Sequence, residues 1–286
     1  MKKGLIIFFS QKNSNMRVAE AISLGLREAD HQVDLWNLKD GQPPDPHNYD
    51  FWGIGSPTYY YRPPFIVTDY IRSLTELAGL PTFVFVVNGN YRGNTGDKIR
   101  DALARKGAKE IGFFSCHGAA YFLGYLKEGF LFSPGHPTSE DLAQAETFGR
   151  EVSDRLAGKP YVRPGNDPPL HFMYKLERFL VNRFIVKHFY SRMFKENSKC
   201  PPDCDLCIKQ CPVKNITRGK AGQLVRGRKC LLCLSCEMNC PEDIIVSPID
   251  WPLFRPFIRY NVRHGTHDPS QEYAKVIHKH GKTQLL

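Results

Sequence analysis

The 286-residue sequence predicts an α/β fold: a doubly wound parallel five-stranded sheet, strand order 2-1-3-4-5, followed by a small α+β domain. Three observations carry this. Apolar runs alternate with amphipathic helical patterns through the first half, which puts helices on both faces of a parallel sheet. Eight of the nine cysteines fall in two short runs far down the chain. Between the two regions lies PYVRPGNDPP, Pro160 to Pro169, a linker by composition.

The elements follow in order. Gly4 to Phe9 (GLIIFF) is apolar without alternation, as a strand covered on both faces must be. Met16 to Glu28 follows as a helix, with Val18, Ile22, Leu24 and Leu26 as its apolar positions. His31 to Leu38 and Asp50 to Ser56 supply the second and third strands. A helix runs from about Pro64 to Leu77. Pro81 to Val87 (PTFVFVV) is the fourth strand, Thr95 to Lys106 a helix, and Glu110 to Cys116 the fifth strand. A last helix covers Ser139 to Leu156. Sheets of this kind bind ligands at the carboxyl ends of their strands, beside the switch point between strands one and three.

The loops at those ends are rich in polar and aromatic residues. Strand one is followed by Ser10, Gln11, Lys12, Asn13, Ser14 and Asn15, which open a helix, and N–H groups at a helix N-terminus suit a phosphate. Strand three is followed by Ser56, Pro57, Thr58, Tyr59, Tyr60 and Tyr61. Strand four is followed by Asn88, Gly89, Asn90, Tyr91, Arg92, Gly93 and Asn94, where the glycines allow close backbone approach. Together these loops resemble the flavodoxin family. The Ser-Pro-Thr-Tyr loop matches well. The first loop is degenerate: Lys12 stands for a threonine, Asn13 for a glycine, Ser14 for an asparagine and Asn15 for a threonine. Asn13 tolerates the left-handed backbone that the glycine would supply. The resemblance covers residues 1–158. It implies a flavodoxin-like sheet that binds FMN through Ser10, Lys12, Asn13, Ser14, Asn15, Ser56, Pro57, Thr58, Tyr59, Tyr60, Asn88, Gly89, Asn90, Tyr91 and Gly93.

The cysteine runs are Cys200-x3-Cys204-x2-Cys207-x3-Cys211-Pro212 and Cys230-x2-Cys233-x2-Cys236-x3-Cys240-Pro241. The second is the C-x2-C-x2-C-x3-C-P pattern of bacterial-type ferredoxins, in which the fourth thiolate ligates the other cluster. Cys200, Cys204, Cys207 and Cys240 are then expected to hold one 4Fe-4S cluster. Cys211, Cys230, Cys233 and Cys236 hold the second. The first run has one residue too many between Cys200 and Cys204, and Pro201-Pro202 suits a bulge there. Structural zinc competes, since four-cysteine zinc sites also use C-x2-C pairs. Disulfides are disfavoured, because Met1-Lys2-Lys3 leads directly into a strand with no signal peptide. Cys116, outside both runs, reads as a small buried residue.

Four regions are expected: residues 1–158, the α/β domain; 159–195, linker and amphipathic helix; 196–248, the 2[4Fe-4S] ferredoxin-like domain; and 249–286, a C-terminal extension. His117 to Pro137 is long for a connection and carries Tyr121, Phe122, Tyr125, Phe130 and Phe132. It reads as an insertion on its own sheet edge, a cover over the flavin, or a pad for the second domain. Leu170 to Lys195 reads as one amphipathic helix with a basic face of Lys175, Arg178, Arg183, Lys187 and Arg192, expected to pack between domains rather than on a membrane surface. Val213 to Val225 should form a hairpin, and Ile244 to Val246 a closing strand. Ser247 to Leu286 carries no readable motif.

The formal charge is +10. Thiolate-bound clusters and a flavin phosphate would lower it. That disfavours nucleic acid and leaves room for an acidic redox partner protein, alone or within a larger oxidoreductase complex. No uncharged apolar run is long enough to span a bilayer, so a cytoplasmic protein is expected. The whole chain resembles flavodoxin–ferredoxin fusion proteins. That resemblance implies electron transfer between a low-potential donor and a redox partner, through two 4Fe-4S clusters and FMN. The alternatives are a flavoenzyme that reduces a small molecule with electrons from its own clusters, and a scaffold whose flavin site is vestigial. A homo-oligomer is compatible with either.

Overall fold

The computed structural model describes residues 1–198 and 200–286. They form two compact units. The first comprises Met1–Ala119 and Gly135–Leu170, the second Ala120–Pro134 and His171–Leu286.

In chain order the elements begin β1 (Lys3–Phe8), α1 (Ser14–Glu28), β2 (Gln32–Asn37), β3 (Phe51–Pro57), α2 (Phe65–Ser73), β4 (Pro81–Asn88), α3 (Thr95–Ala104) and β5 (Lys109–His117). Then come α4 (Leu123–Lys127) and β6 (Phe130–Phe132), which belong to the second unit, and α5 (Ser139–Leu156), which returns to the first. The sheet order is β2-β1-β3-β4-β5 with every pair parallel, the predicted topology. Ile6 and Phe8 of β1, Phe83 and Phe85 of β4, Val18 and Ile22 of α1 and Phe148 of α5 share one core. Each such side chain contributes about 1.5–3 kcal/mol by leaving water. Helices α1 and α5 touch through glycines: a Cβ on Gly25 would lie 2.0 Å from the Glu146 carbonyl oxygen. Helix α5 starts on a capping box between Thr138 and Asp141, which satisfies two backbone donors at once. Cys116 is buried, and burial pushes its thiol up to about 12.

The Pro-rich stretch after α5 is strapped to this unit. The Tyr161 hydroxyl donates to Glu110 Oε1 at 2.7 Å, and Arg100 donates to the Pro164 carbonyl at 3.2 Å. Asp167 is buried, with its side chain 1% exposed.

The second unit continues with α6 (Phe172–Leu180), α7 (Arg183–His188), β7 (Lys195–Glu196), α8 (Leu206–Gln210), β8 (Ile216–Arg218), β9 (Leu224–Arg226), α9 (Ser235–Met238), β10 (Ile245–Val246), α10 (Arg255–His267), β11 (Tyr273–Lys279) and β12 (Lys282–Leu285). Hairpin β8–β9 and closing strand β10, paired antiparallel with β7, lie where the sequence puts them. Three expectations change. Leu170 to Lys195 is not one helix. It breaks at Val181–Asn182, and Asn182 Oδ1 accepts the Ile185 N–H to start α7. The buried face of α6 is Tyr174 and Glu177, not the expected line of Met173, Leu176, Leu180 and Phe184, because Asn261 donates to Glu177 Oε2 at 2.9 Å and makes that carboxylate tolerable inside. The aromatic insertion is not added to the parallel sheet: β6 pairs antiparallel with β11. The tail supplies that strand, together with α10 and β12. Lys127 of α4 binds Glu237 and Asp250 at 2.5 and 2.6 Å.

Among the described residues, no helix is long and apolar enough to cross a membrane.

Candidate functional site

Two groups of residues in the two units can hold redox groups, and each is built locally.

In the first unit, the loops following β1, β3 and β4 emerge at one end of the sheet. Asn13 has φ 65°, the left-handed conformation expected of a residue standing for glycine. Its side chain makes no capping hydrogen bond at the start of α1, the end of a helix that suits an anion. Lys12 and Asn13 are exposed, Ser14 is half-buried, and Asn15 is buried. Ser10 is buried and locked in place: its N–H donates to Asn37 Oδ1, and its carbonyl accepts from Asn37 Nδ2. Ser56 is fully buried and donates to the Pro57 carbonyl at 2.8 Å, so its hydroxyl serves the protein's own backbone.

The loop after β3 takes a form the sequence did not announce. Tyr59 and Arg62 exchange backbone hydrogen bonds at 2.8 and 3.2 Å around Tyr60 at φ 49° and Tyr61 at φ 62°. Two left-handed central residues make a type I′ turn, a turn that normally carries Asn or Gly. Bulky residues in that region are strained and persist only where their surroundings hold them. Here Gly93, itself at φ 60°, supplies the support: a Cβ there would lie 2.4 Å from the Tyr61 carbonyl oxygen. Thr58 Oγ1 contacts Thr95 Oγ1 at 2.9 Å and the Arg92 carbonyl at 3.1 Å, tying the same two loops together. The Tyr59 hydroxyl donates to Gln11 Oε1, linking the third-strand loop to the first. Gly93→Ala is therefore expected to cost about 2 kcal/mol, combining left-handed strain with displacement of the tyrosine turn. A thermal or urea melt of the variant checks this.

Asn88 donates to the Asn90 carbonyl at 3.3 Å within the fourth-strand loop, which also holds Gly89 and Tyr91. Four buried polar atoms in these loops and the first turn of α1 have no hydrogen-bond partner among the described residues: Gln11 Nε2, Asn15 Oδ1, and Asn90 Nδ2 and Oδ1. Each such orphan costs about 1–3 kcal/mol if nothing satisfies it. Their concentration where the resemblance expects FMN fits a polar ligand there, so the residues present suit that group. Sequence reasoning missed Gln11, Thr95 and Asp167. Asp167 ion-pairs with Arg92 Nε of the same loop at 2.8 Å, off the hydrogen-bond axis.

In the second unit, Cys211, Cys230, Cys233 and Cys236 line one cavity together with Phe194, Asn215 and Arg226. Cys211 comes from the first run and the others from the second. Backbone N–H groups point at the sulfurs: Asn215 at Cys211 Sγ, 3.2 Å, and Leu232 at Cys230 Sγ, 3.3 Å. Leu232 and Leu234 are left-handed, at φ 53° and 59°, as the chain wraps around the cavity. Burial, with the field of Cys233 and Cys211, pushes the Cys230 thiol up to about 12. The remaining four thiols form the other set. Burial raises Cys207, and Cys200, Cys204 and Cys240 add to that by their charge. The extra residue between Cys200 and Cys204 is accommodated by Arg218. Its guanidinium reaches the Pro201 and Cys204 carbonyls and lies 3.8 Å from Cys200 Sγ. Among the described residues, no three His, Cys, Asp or Glu side chains converge as on a single metal ion.

Residues 5–125 match the family model of the flavodoxin domain. An uncharacterized protein of Methanocaldococcus jannaschii is 24% identical over 153 residues, spanning 52% of this chain and 97% of that one. An archaeal flavodoxin structure is 16% identical, covering 54% of this chain and 99% of its own, with a TM-score of 0.42. An oxidised flavodoxin from Bacillus cereus is 19% identical over the same shares, with a TM-score of 0.43. The N-terminal region is a flavodoxin-like domain.

Proposed function

We propose that the chain is an electron-transfer protein that holds FMN in its flavodoxin-like domain and two 4Fe-4S clusters in its cysteine-rich unit, and passes electrons between a low-potential donor and a redox partner. The observation that carries this reading is the mixed cavity. Three successive cysteines of one run and the Cys-Pro cysteine of the other line a single space, the crossed ligand pattern of two-cluster ferredoxins. Flavin exchanges one or two electrons and each cluster exchanges one, which suits the pair to relaying between carriers of different stoichiometry. The protein's own part is to gather eight thiols in two sets and to aim N–H donors at sulfurs of the second. Such donors and the degree of burial set cluster potentials. The partner is proposed to be a protein, with mild charge complementarity guiding the encounter.

The competing flavoenzyme reading would need a general acid or base, or a substrate pocket, at the flavin loops. His117, at the end of β5, packs edge-on against His136 with ring centroids 5.7 Å apart, and His136 in turn is held by Asp141 at 2.6 Å.

Protein purified without oxygen should contain about eight irons and eight acid-labile sulfides per chain, the sum for two cubanes, with one FMN. Zinc in place of iron, or iron for a single centre, would overturn the cluster assignment. Iron without flavin would reduce the first domain to a scaffold.

A further inference from the structure

The cavity that gathers Cys211, Cys230, Cys233 and Cys236 also admits a buried cation. Arg226 closes strand β9, and its side chain is only 6% exposed. One guanidinium nitrogen, Nη1, faces Glu196 Oε1 at 3.6 Å, a loose ion pair with a carboxylate that is itself 21% exposed. The guanidinium lies over the Phe194 ring at 5.0 Å. Nε and Nη2 are buried and have no hydrogen-bond partner among the described residues. A guanidinium stays protonated at any ordinary pH. Two unmade hydrogen bonds on a buried cation are costly. The side-chain oxygens lining the cavity are already engaged: Asn215 Oδ1 accepts the Lys229 N–H at 2.7 Å, and Ser235 Oγ accepts from Asn239 Nδ2 at 3.0 Å. The four sulfurs are acceptors in the same cavity lining.

The hairpin carries two arginines beside the thiols. Arg226 is opposite Ile216 at one end of β8–β9, while Arg218 is opposite Leu224 at the other. The two are used differently. Arg218 gives its donors to the carbonyls of Pro201, Cys204 and Gly222, with Nη2 also 3.8 Å from Cys200 Sγ, and so holds the irregular ligand loop. Arg226, which lines the cavity, leaves Nε and Nη2 unpartnered among the described residues.

We propose that Arg226 is the potential-setting residue of the second centre: its charge and its Nε and Nη2 donors stabilise the extra negative charge of the reduced cluster in the Cys211, Cys230, Cys233 and Cys236 cavity. This makes the second centre easier to reduce than it would be without the buried cation. The inference rests on the cluster reading above.

Potentiometric titration of the anaerobically purified full chain, followed by EPR, tests it. The wave absent from Cys211→Ser identifies the second centre. In Arg226→Gln that wave should move to lower potential by a tenfold or greater change in reduction equilibrium, about 59 mV for one electron. Arg226→Lys, which keeps the charge, should recover most of the shift, and the other wave should move less than that of the second centre. Iron content measured on each variant separates tuning from loss of the centre. An unmoved wave in Arg226→Gln with iron retained would overturn the proposal. So would a Lys variant that falls as far as the Gln variant. If Gln loses the centre, the comparison passes to Lys alone, whose wave must lie within a tenfold change of the parent. A parent protein without two waves would instead defeat the cluster reading itself.

Discussion

Cys211→Ser is expected to remove the centre whose other ligands lie beyond it in the chain, from Cys230 to Cys236, and to leave the centre of its own run standing. The expected loss is about four of eight irons, one cubane's worth. Cys240→Ser is the mirror case and should remove the centre held by Cys200, Cys204 and Cys207. The crossing follows from geometry rather than from proximity in sequence. Cys211 ends α8, and the first residues after it, Pro212 and Val213, line the cavity that Cys230, Cys233 and Cys236 share. Loss of a ligand leaves three thiols around an incomplete site, and burial holds Cys230 and Cys236 against deprotonation. Iron and sulfide analysis of both variants, with EPR to say which signal survives, checks the assignment. Two independent uncrossed sites would instead make Cys211→Ser destroy the signal that depends on Cys200, Cys204 and Cys207.

The parallel sheet was legible because it is written in long unbroken apolar runs. GLIIFF and PTFVFVV have no alternating polar positions, and only a strand covered on both faces reads that way. The hairpin and closing strand among the cysteines were legible for a different reason, since the thiol runs bracket them in the sequence. The tyrosine turn was not. Tyr60 and Tyr61 occupy left-handed positions against propensity, and only the contact of Gly93 with Tyr61 explains them. Nor could Leu170 to Lys195 be divided correctly: its phenylalanines at 172, 179 and 184 are exposed, and burial of Glu177 depends on Asn261, 84 residues away. The tail gave no signal because α10 and β11 are mostly polar. Strand β11 gains its meaning from β6, a partner inside the aromatic insertion.

The residue most hidden in the sequence is Asp167, and its replacement should be the most damaging change in the first unit outside the core. It sits in a Pro-rich stretch that reads as a plain tether. In the structure Asp167 Oδ2 accepts the Asp97 N–H at 2.9 Å, and the Asp167 N–H donates to Asp97 Oδ2 at 2.8 Å. Because Asn94 caps α3 without a side-chain bond, Asp167 supplies from a distance the anionic cap that the helix start favours. Its other oxygen lies 2.8 Å from Arg92 Nε, and Arg92 in turn donates to Ser115 Oγ at 2.6 Å and packs over the Phe113 ring. Asp167→Ala removes the cap and strands the Arg92 charge. Removing one partner of a buried ion pair costs about 3–5 kcal/mol, and Arg92, being 28% exposed, recovers some hydration, so about 3 kcal/mol is expected. Asp167→Asn keeps an oxygen for the Asp97 N–H and should lose roughly half as much. The fourth-strand loop carries Asn90 and Gly93 as well as Arg92, so FMN affinity should fall along with stability, more in the Ala variant than in the Asn variant. Urea melts and flavin titration of the two variants measure both effects. If Pro160 to Pro169 were only a tether, neither quantity would move.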